Sequence, residues 1–326
     1  MKNKFYATIF VIVIFILSLI SLNAQQVERN YVVLEKGTGT WCGWCPSAAV
    51  GVEEMLANGD KIAVIAHHYN DPFATTGSTH RCAQYYNFSG YPAARFDGTE
   101  SVGGGSQSGS TYNMYHPVYA QLINVMSDFT IDLSIDRSGL DYELSVDIEK
   151  VNGNYSNLVL YVCVVESHIE YNWQGMDELN FVNRAMYPNH LGTTLNFTGK
   201  SKQTEVINFT ADNNWDLENC QLVVFLQDNT NKDIKQSNII SLATPIGANN
   251  AAVSEITEIP DVCNPEIRPI IKVKNYGSEI ITDLTIEYSI NNGSTETYNW
   301  TGNIDFMKEE EIELDEISFN LETTNT

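Results

Sequence analysis

The sequence predicts an α/β domain followed by two all-β sandwich domains. Three observations carry this. From Val27 to Ser127 the apolar pattern alternates between strand and helix and ends in a Pro-led hairpin and a helix. From Asp128 to about 245 it becomes a series of short strands separated by turn residues. From Gly247 onward a second, smaller set of strands and turns follows.

In the first part, "NYVVLEKGTGTW" places a β-rich run at Tyr31 to Glu35 before a Gly/Thr turn. "CPSAAVGVEEMLAN" reads as a helix: Pro46 suits a first helical turn, where its missing N–H costs nothing. "KIAVIAHHY" (61–69) is an apolar strand, and "STHRCAQYYNF" (78–88) a second helix. In "GYPAARFDGTESVGGG", Pro92 leads a short strand, and Asp97-Gly98 turns the chain into a partner strand. The segment 112–129 closes as a helix. The order predicts a parallel strand pair joined by a helix, then an antiparallel hairpin.

In the second part, "FTIDLSIDRSGLDYELSVDIEKV" alternates apolar and polar residues about a Ser-Gly turn. Strands follow at 157–166, 204–211, 220–228 and 237–243. Residues 167–203 form a long insertion holding Trp173, Arg184, Tyr187 and His190. Loops of that length are often functional, although an ordered excursion fits equally. The third part includes an "NNG" turn (291–293) and stops at "LETTNT" with no completed cap, which leaves open an incomplete domain.

Residues 1–24 predict a cleaved signal peptide. Lys2 and Lys4 precede the apolar "IFVIVIFILSLI", and small Ala24 leads into Gln25 and Gln26. The apolar run is short for a permanent anchor, and no cysteine sits at the cleavage point for a lipid. No other long apolar run occurs, so no transmembrane span is expected in the mature chain. Export to the periplasm, outer membrane or cell surface, or release as a secreted protein, places six cysteines where disulfides persist.

The net charge is −23, and its distribution excludes some partners. Val27–Ser127 carries 8 acidic and 5 basic residues; the chain from Asp128 carries 33 acidic and 11 basic. Nucleic acid and anionic membrane surfaces are therefore poor partners. The acidic "KEEEIELDEI" (308–317) alternates like a strand with a solvated face and lacks a calcium-ligand loop.

The chemistry concentrates in "TGTWCGWCPSAA" (38–49). A CxxC at a helix start permits a redox pair, half a metal site or a structural staple. The thiolate is the nucleophile, and the positive end of the helix dipole lowers a thiol pKa from about 8.5. Cys42, exposed at the turn, is the expected attacking thiol, and Cys45 the resolving one. Trp41 and Trp44 offer flanking apolar surface for a peptide. His67, His68, Asp71, His80 and Cys82 are also candidates for a metal. However, His67 and His68 alternate across a strand, and the spacing fits no closed ligand set. Cys82, Cys163, Cys220 and Cys263 allow three pairings, among which sequence does not choose. Cys82 is either a third redox thiol or a packed helix residue.

"TWCGWCP" between a strand and a helix resembles the thioredoxin superfamily, and "GYPAARFDG", about fifty residues on, resembles its cis-proline hairpin. The resemblance implies a cis Tyr91-Pro92 bond, with the Tyr91 backbone pairing to substrate. It implies for Glu35 the role of a buried carboxylate assisting proton transfer, one residue displaced from the usual spacing. Together with "AHHYNDPF" and "FVNRAMYPNHLG", these stretches resemble the Omp-twenty-eight-related outer-membrane protein family over roughly residues 30–245. That family implies a thioredoxin-like domain with a trailing β-domain in the cell envelope, and the last part resembles an immunoglobulin-like module. The function implied is thiol–disulfide exchange with protein thiols or disulfides, other envelope proteins among them, without a diffusible cofactor or metal. The alternatives are a surface binding or adhesion protein with a static CxxC disulfide, and metal delivery through the CxxC.

Overall fold

The computed structural model describes residues 26–243, 245, 247–257, 266–289 and 294–318. The signal-peptide segment, Cys263, the turn at 291–293 and the terminal "LETTNT" lie outside the described residues. The chain divides into two compact units. The first takes residues up to Leu133, with Ser145–Val206 and Leu222–Ile239; the second takes Ser134–Leu144, Ile207–Gln221 and residues from Ile240 onward.

The first unit opens with β1 (Val32–Thr38), α1 (Pro46–Ala57), β2 (Ile62–His68) and α2 (Thr76–His80), which runs into a π-helical turn at Arg81–Tyr85. The hairpin β3 (Ala93–Phe96) and β4 (Glu100–Gly103) and helix α3 (Tyr112–Leu122) follow. This is the element order read from the sequence. β1 and β2 run parallel, and β3 pairs antiparallel with β1 and with β4. Asp97 and Gly98 both take positive φ (44° and 76°) at the hairpin turn, which suits the Asp-Gly pair.

Downstream come β5 (Phe129–Ser138), β6 (Asp141–Lys150), β7 (Leu158–Glu166), β8 (Ile169–Trp173), β9 (Met176–Leu179) and β10 (Val182–Tyr187). They are followed by β11 (Thr193–Leu195), β12 (Lys202–Thr210), β13 (Cys220–Asp228) and β14 (Asp233–Ser241). One sheet has the order β14-β13-β7-β10-β2-β1-β3-β4, with β11 also on β7. The sequence reading placed β7, β13 and β14 in a separate sandwich beginning at Asp128. They instead continue the sheet of β1 and β2, through β10, which pairs parallel with β2 and antiparallel with β7. The reason is visible in β7, which is buried at every position, as a strand covered on both faces must be. β5, β6 and β12, with their alternating burial, form a three-stranded sheet of their own.

The two faces of the β1/β2 region bury different cores. Val32, Leu34, Ile62 and Val64 pack with Val52 and Met55 of α1 and Tyr115 of α3. Val33, Ala63 and Ile65 pack with Tyr161, Cys163, Val223 and Phe225. The period-2 alternation of a strand therefore decides which chemistry each residue of β1 and β2 can reach.

Within the second unit, Ala251–Ile256, Ile270–Asn275 and Glu309–Glu313 make an antiparallel three-stranded sheet. Ile281–Tyr288 pairs with Glu296–Ile304. Ile271, Val273, Ile281, Ile304, Ile312 and Leu314 are its core. In the acidic run only Ile312 of Glu309–Glu313 is buried, and its glutamates lie outward.

Candidate functional site

β1 delivers the chain into two successive turns that present the cysteines. The Cys42 N–H donates to the Gly39 carbonyl (3.0 Å) and the Cys45 N–H to the Cys42 carbonyl (3.2 Å). Cys45 is the N-cap of α1, with Pro46 in the first helical turn. Cys42 and Cys45 form a disulfide with a Cα–Cα distance of 5.4 Å. The pair therefore sits at the positive end of a twelve-residue helix, where a thiolate is favoured. The turn is held from behind: Asp71 accepts from the Thr40 N–H (2.8 Å) and is paired with His68 (2.6 Å).

Pro92 faces this turn. Tyr91–Pro92 is cis, as the resemblance implied. Gly105 lies wedged between the two elements, since a Cβ there would fall 2.4 Å from the Trp44 carbonyl oxygen and 2.8 Å from Pro92 Cγ. Only glycine allows so close an approach. Tyr91 packs against the cysteines, and its ring meets Trp41 edge-on at 5.5 Å. Trp41 (49% exposed) and Trp44 (55% exposed) stand out from the surface. The Trp41 indole N–H is fixed on the Tyr69 carbonyl (2.8 Å). A groove of about 320 Å³ runs past Trp44, Phe88, Tyr91, Pro92 and Arg95.

Two expectations need correction. Cys42 was expected to be exposed; it is only 5% exposed, and Cys45 is fully buried. The cover is the β8–β9 hairpin from the 167–203 insertion, whose Trp173 and Leu179 pack on the pair with Val182. Among the residues noted in that insertion, Trp173 is the one at the site.

The second correction concerns Glu35. It lies on the sheet face away from α1, in step with Val33, and is fully buried. Arg81 grips both carboxylate oxygens, with Nε at 2.7 Å from Oε2. The Tyr86 hydroxyl donates to Oε1 (2.6 Å), and His67 Nε2 lies 2.9 Å from Oε2. Burial opposes ionisation, but the Arg81 charge and the His67 hydrogen bond outweigh it and hold the carboxyl at about 2. Glu35 is thus held ionised at neutral pH, and it faces away from the helix that carries the cysteines. Arg81, which sequence reasoning passed over, is the centre of this network: it also reaches Gln227 (3.2 Å) and lies over the Tyr85 ring at 4.1 Å. The available signal was an arginine inside an otherwise packed helical pattern.

The neighbouring groups are now placed. His67 and His68 point to opposite faces, one to Glu35 and one to Asp71. Burial holds the His67 pKa down, keeping the ring neutral. Cys82 is buried, and burial pushes its thiol up to about 12, while its S–H donates to the His67 carbonyl (3.5 Å). Cys163 is also a buried free thiol with a raised pKa, so no bridge forms there. These are inert packed thiols. Lys36, also unforeseen, is buried on the α1 side of β1, and desolvation lowers its ammonium to about 8 against the opposing pull of Glu53. Among the described residues, no three His, Cys, Asp or Glu side chains are arranged to hold a metal ion.

The family model described as outer membrane protein Omp28 matches residues 79–243, half of the chain. The chain belongs to the Omp28 outer membrane protein family. The matched Omp28 region holds Arg81, Pro92 and Trp173; the cysteine pair precedes it. Membership agrees with the expected export to the cell envelope. Among the described residues no helix is long and apolar enough to cross a membrane. No curated protein matches the chain. Among solved structures, HBP35 of Porphyromonas gingivalis aligns with a TM-score of 0.56 at 15% identity, over 85% of this chain and 100% of that one, a likeness of fold alone. A red sea bream transglutaminase aligns with a TM-score of 0.21 at 12% identity, over 63% of this chain and 29% of that one, and carries no argument.

Proposed function

We propose that this Omp28-family chain is a thiol–disulfide oxidoreductase of the cell envelope that acts on protein thiols and disulfides. One observation carries the reading: a Cys42–Cys45 disulfide at the N-terminus of α1, apposed across Gly105 to a cis-Pro92. The elements from Val27 to Ser127 act as its thioredoxin-like part, and the later β elements, including an immunoglobulin-like module near the C-terminus, present it or position partners.

The chemistry needs no diffusible cofactor, because the cysteine pair carries two electrons. In the reducing direction the Cys42 thiolate attacks one sulfur of a substrate disulfide, and the other substrate sulfur leaves as thiolate. The Cys45 thiolate then attacks Cys42 Sγ, the second substrate sulfur leaves, and the pair is left as the disulfide. Trp41, Trp44 and Tyr91 supply apolar contact for the peptide, and the Tyr91 backbone beside Pro92 aligns it. Glu35 and Arg81 anchor the fold beneath the site.

A second reading is favoured by the burial of Cys42: a surface protein whose pair is a static disulfide. Insulin reduction separates the two. The oxidoreductase reading expects the pre-reduced wild-type chain to reduce insulin, two electrons per chain, and Cys42→Ser to fail; equal rates in both would end it.

A further inference from the structure

The concealment of Cys42 has a specific source. Trp41 and Trp44, on either side of it, are half exposed, whereas Cys42 is only 5% exposed. The cover comes from β8–β9, a two-stranded sheet hydrogen-bonded to no other strand among the described residues. Ile169, Trp173, Met176 and Leu179 pack around Cys42 and Cys45. Glu170, Asn172 and Asp177 lie outward on the same hairpin.

Beyond this apolar packing, its attachments among the described residues are few. The Gln174 amide donates to the Thr40 carbonyl (3.1 Å), two residues before Cys42. The Asn180 amide donates to Glu53 of α1 (3.2 Å). Tyr171 meets Phe73 edge-on at 4.9 Å. The Trp173 indole N–H is satisfied within the hairpin, by the Glu178 carbonyl (2.9 Å). Lifting the hairpin therefore breaks no ladder of the main sheet and strands no indole donor. The groove at Trp44 and Pro92 meanwhile remains open.

Thiol–disulfide exchange needs the attacking sulfur to reach the sulfur under attack, so access is part of the rate. We propose that the β8–β9 hairpin, through Trp173, is the specificity-determining element of exchange at Cys42–Cys45. It withholds the pair from small thiols and admits a polypeptide that occupies the Trp44–Pro92 groove and displaces the hairpin. This rests on the oxidoreductase reading.

The test uses dithiothreitol on the full oxidised chain. A dithiothreitol thiolate attacks Cys42 Sγ and Cys45 leaves as thiolate; the second dithiothreitol thiolate then attacks the dithiothreitol sulfur joined to Cys42, closing its own ring as Cys42 leaves as thiolate. Two electrons pass to the protein, and the dithiothreitol is oxidised. The rate and the final dithiol-to-disulfide ratio are both read by thiol labelling and mass. Trp173→Ala is expected to raise the rate at least about tenfold, with the final ratio shifted by less than about threefold. Gln174→Ala leaves the apolar cover intact, so it serves if Trp173→Ala fails to fold; it is expected to raise the rate by about threefold or more. Rates within twofold of wild type in the folded variants would overturn the proposal. So would a rate gain matched by an equal gain in the ratio, because Trp173 would then tune the stability of the bond rather than access to it. Accelerated variants in a chain that never reduces insulin would leave the cover in place and end the oxidoreductase reading alone.

Discussion

Replacing Arg81 by methionine should cost about 3–5 kcal/mol of stability, the usual penalty for leaving one member of a buried ion pair uncompensated. Arg81 and Glu35 are both fully buried, and their side chains join β1, the π-helical turn and Gln227 of β13. Without the guanidinium, the Glu35 carboxylate keeps only the Tyr86 hydroxyl and the His67 ring. A loss of that size is a large part of a typical total of about 5–15 kcal/mol and should lower the melting temperature on the order of 10 °C. The pH dependence has a definite sign. In the wild type, Glu35 is depressed from 4.5 to about 2, so its contribution is fully present above the unfolded value and is lost as pH falls toward 2. In Arg81→Met the carboxyl rises, so acid protonates it earlier and the gap to wild type narrows. Urea denaturation at neutral and acid pH checks both points. Glu35→Leu combined with Arg81→Met should recover much of the loss, since no buried charge remains. A loss under about 1 kcal/mol in the single variant would show that the pair is not the anchor described here.

Cys45→Ser should convert the protein into a trap. Cys42 still attacks a substrate disulfide, but no second thiol releases the mixed disulfide. Release of reduced insulin by the pre-reduced chain is expected to fall at least about 100-fold, while a covalent adduct accumulates. The adduct should run as a heavier band on a non-reducing gel and vanish with dithiothreitol. Cys42→Ser should give neither turnover nor adduct, because Cys45 is fully buried. Equal adduct from both variants would reverse the assigned roles, and adduct from neither would remove the exchange chemistry.

The sequence carried the local features well. The order of β1, α1, β2, the Pro-led hairpin and α3 follows from turn residues and periodicity, and the Cys42–Cys45 and Pro92 landmarks are short motifs. What it hid was set by long-range pairing. β7 was read into a separate sandwich, although its unbroken apolar run marks a strand covered on both faces. Periodicity shows that such a strand is central without naming its neighbours. Glu35 illustrates the cost of carrying a role across a one-residue displacement: in a strand one step reverses the face, and Glu35 points to Arg81 rather than toward α1. The concealment of Cys42 depends on Trp173, 131 residues later in the chain. No spacing within the CxxC segment encodes that contact.

The central claim is that the Cys42–Cys45 bond opens and closes in use. Its most direct measure is the reduction potential of the pair in the full chain, titrated against a dithiol buffer and read by thiol labelling. Cys82 and Cys163 remain as internal unreactive controls. The account predicts a potential within the range of catalytic dithiols, about −270 to about −120 mV. A value below about −300 mV, with a pair that resists mild reductant, would contradict it and leave Cys42–Cys45 as a structural staple.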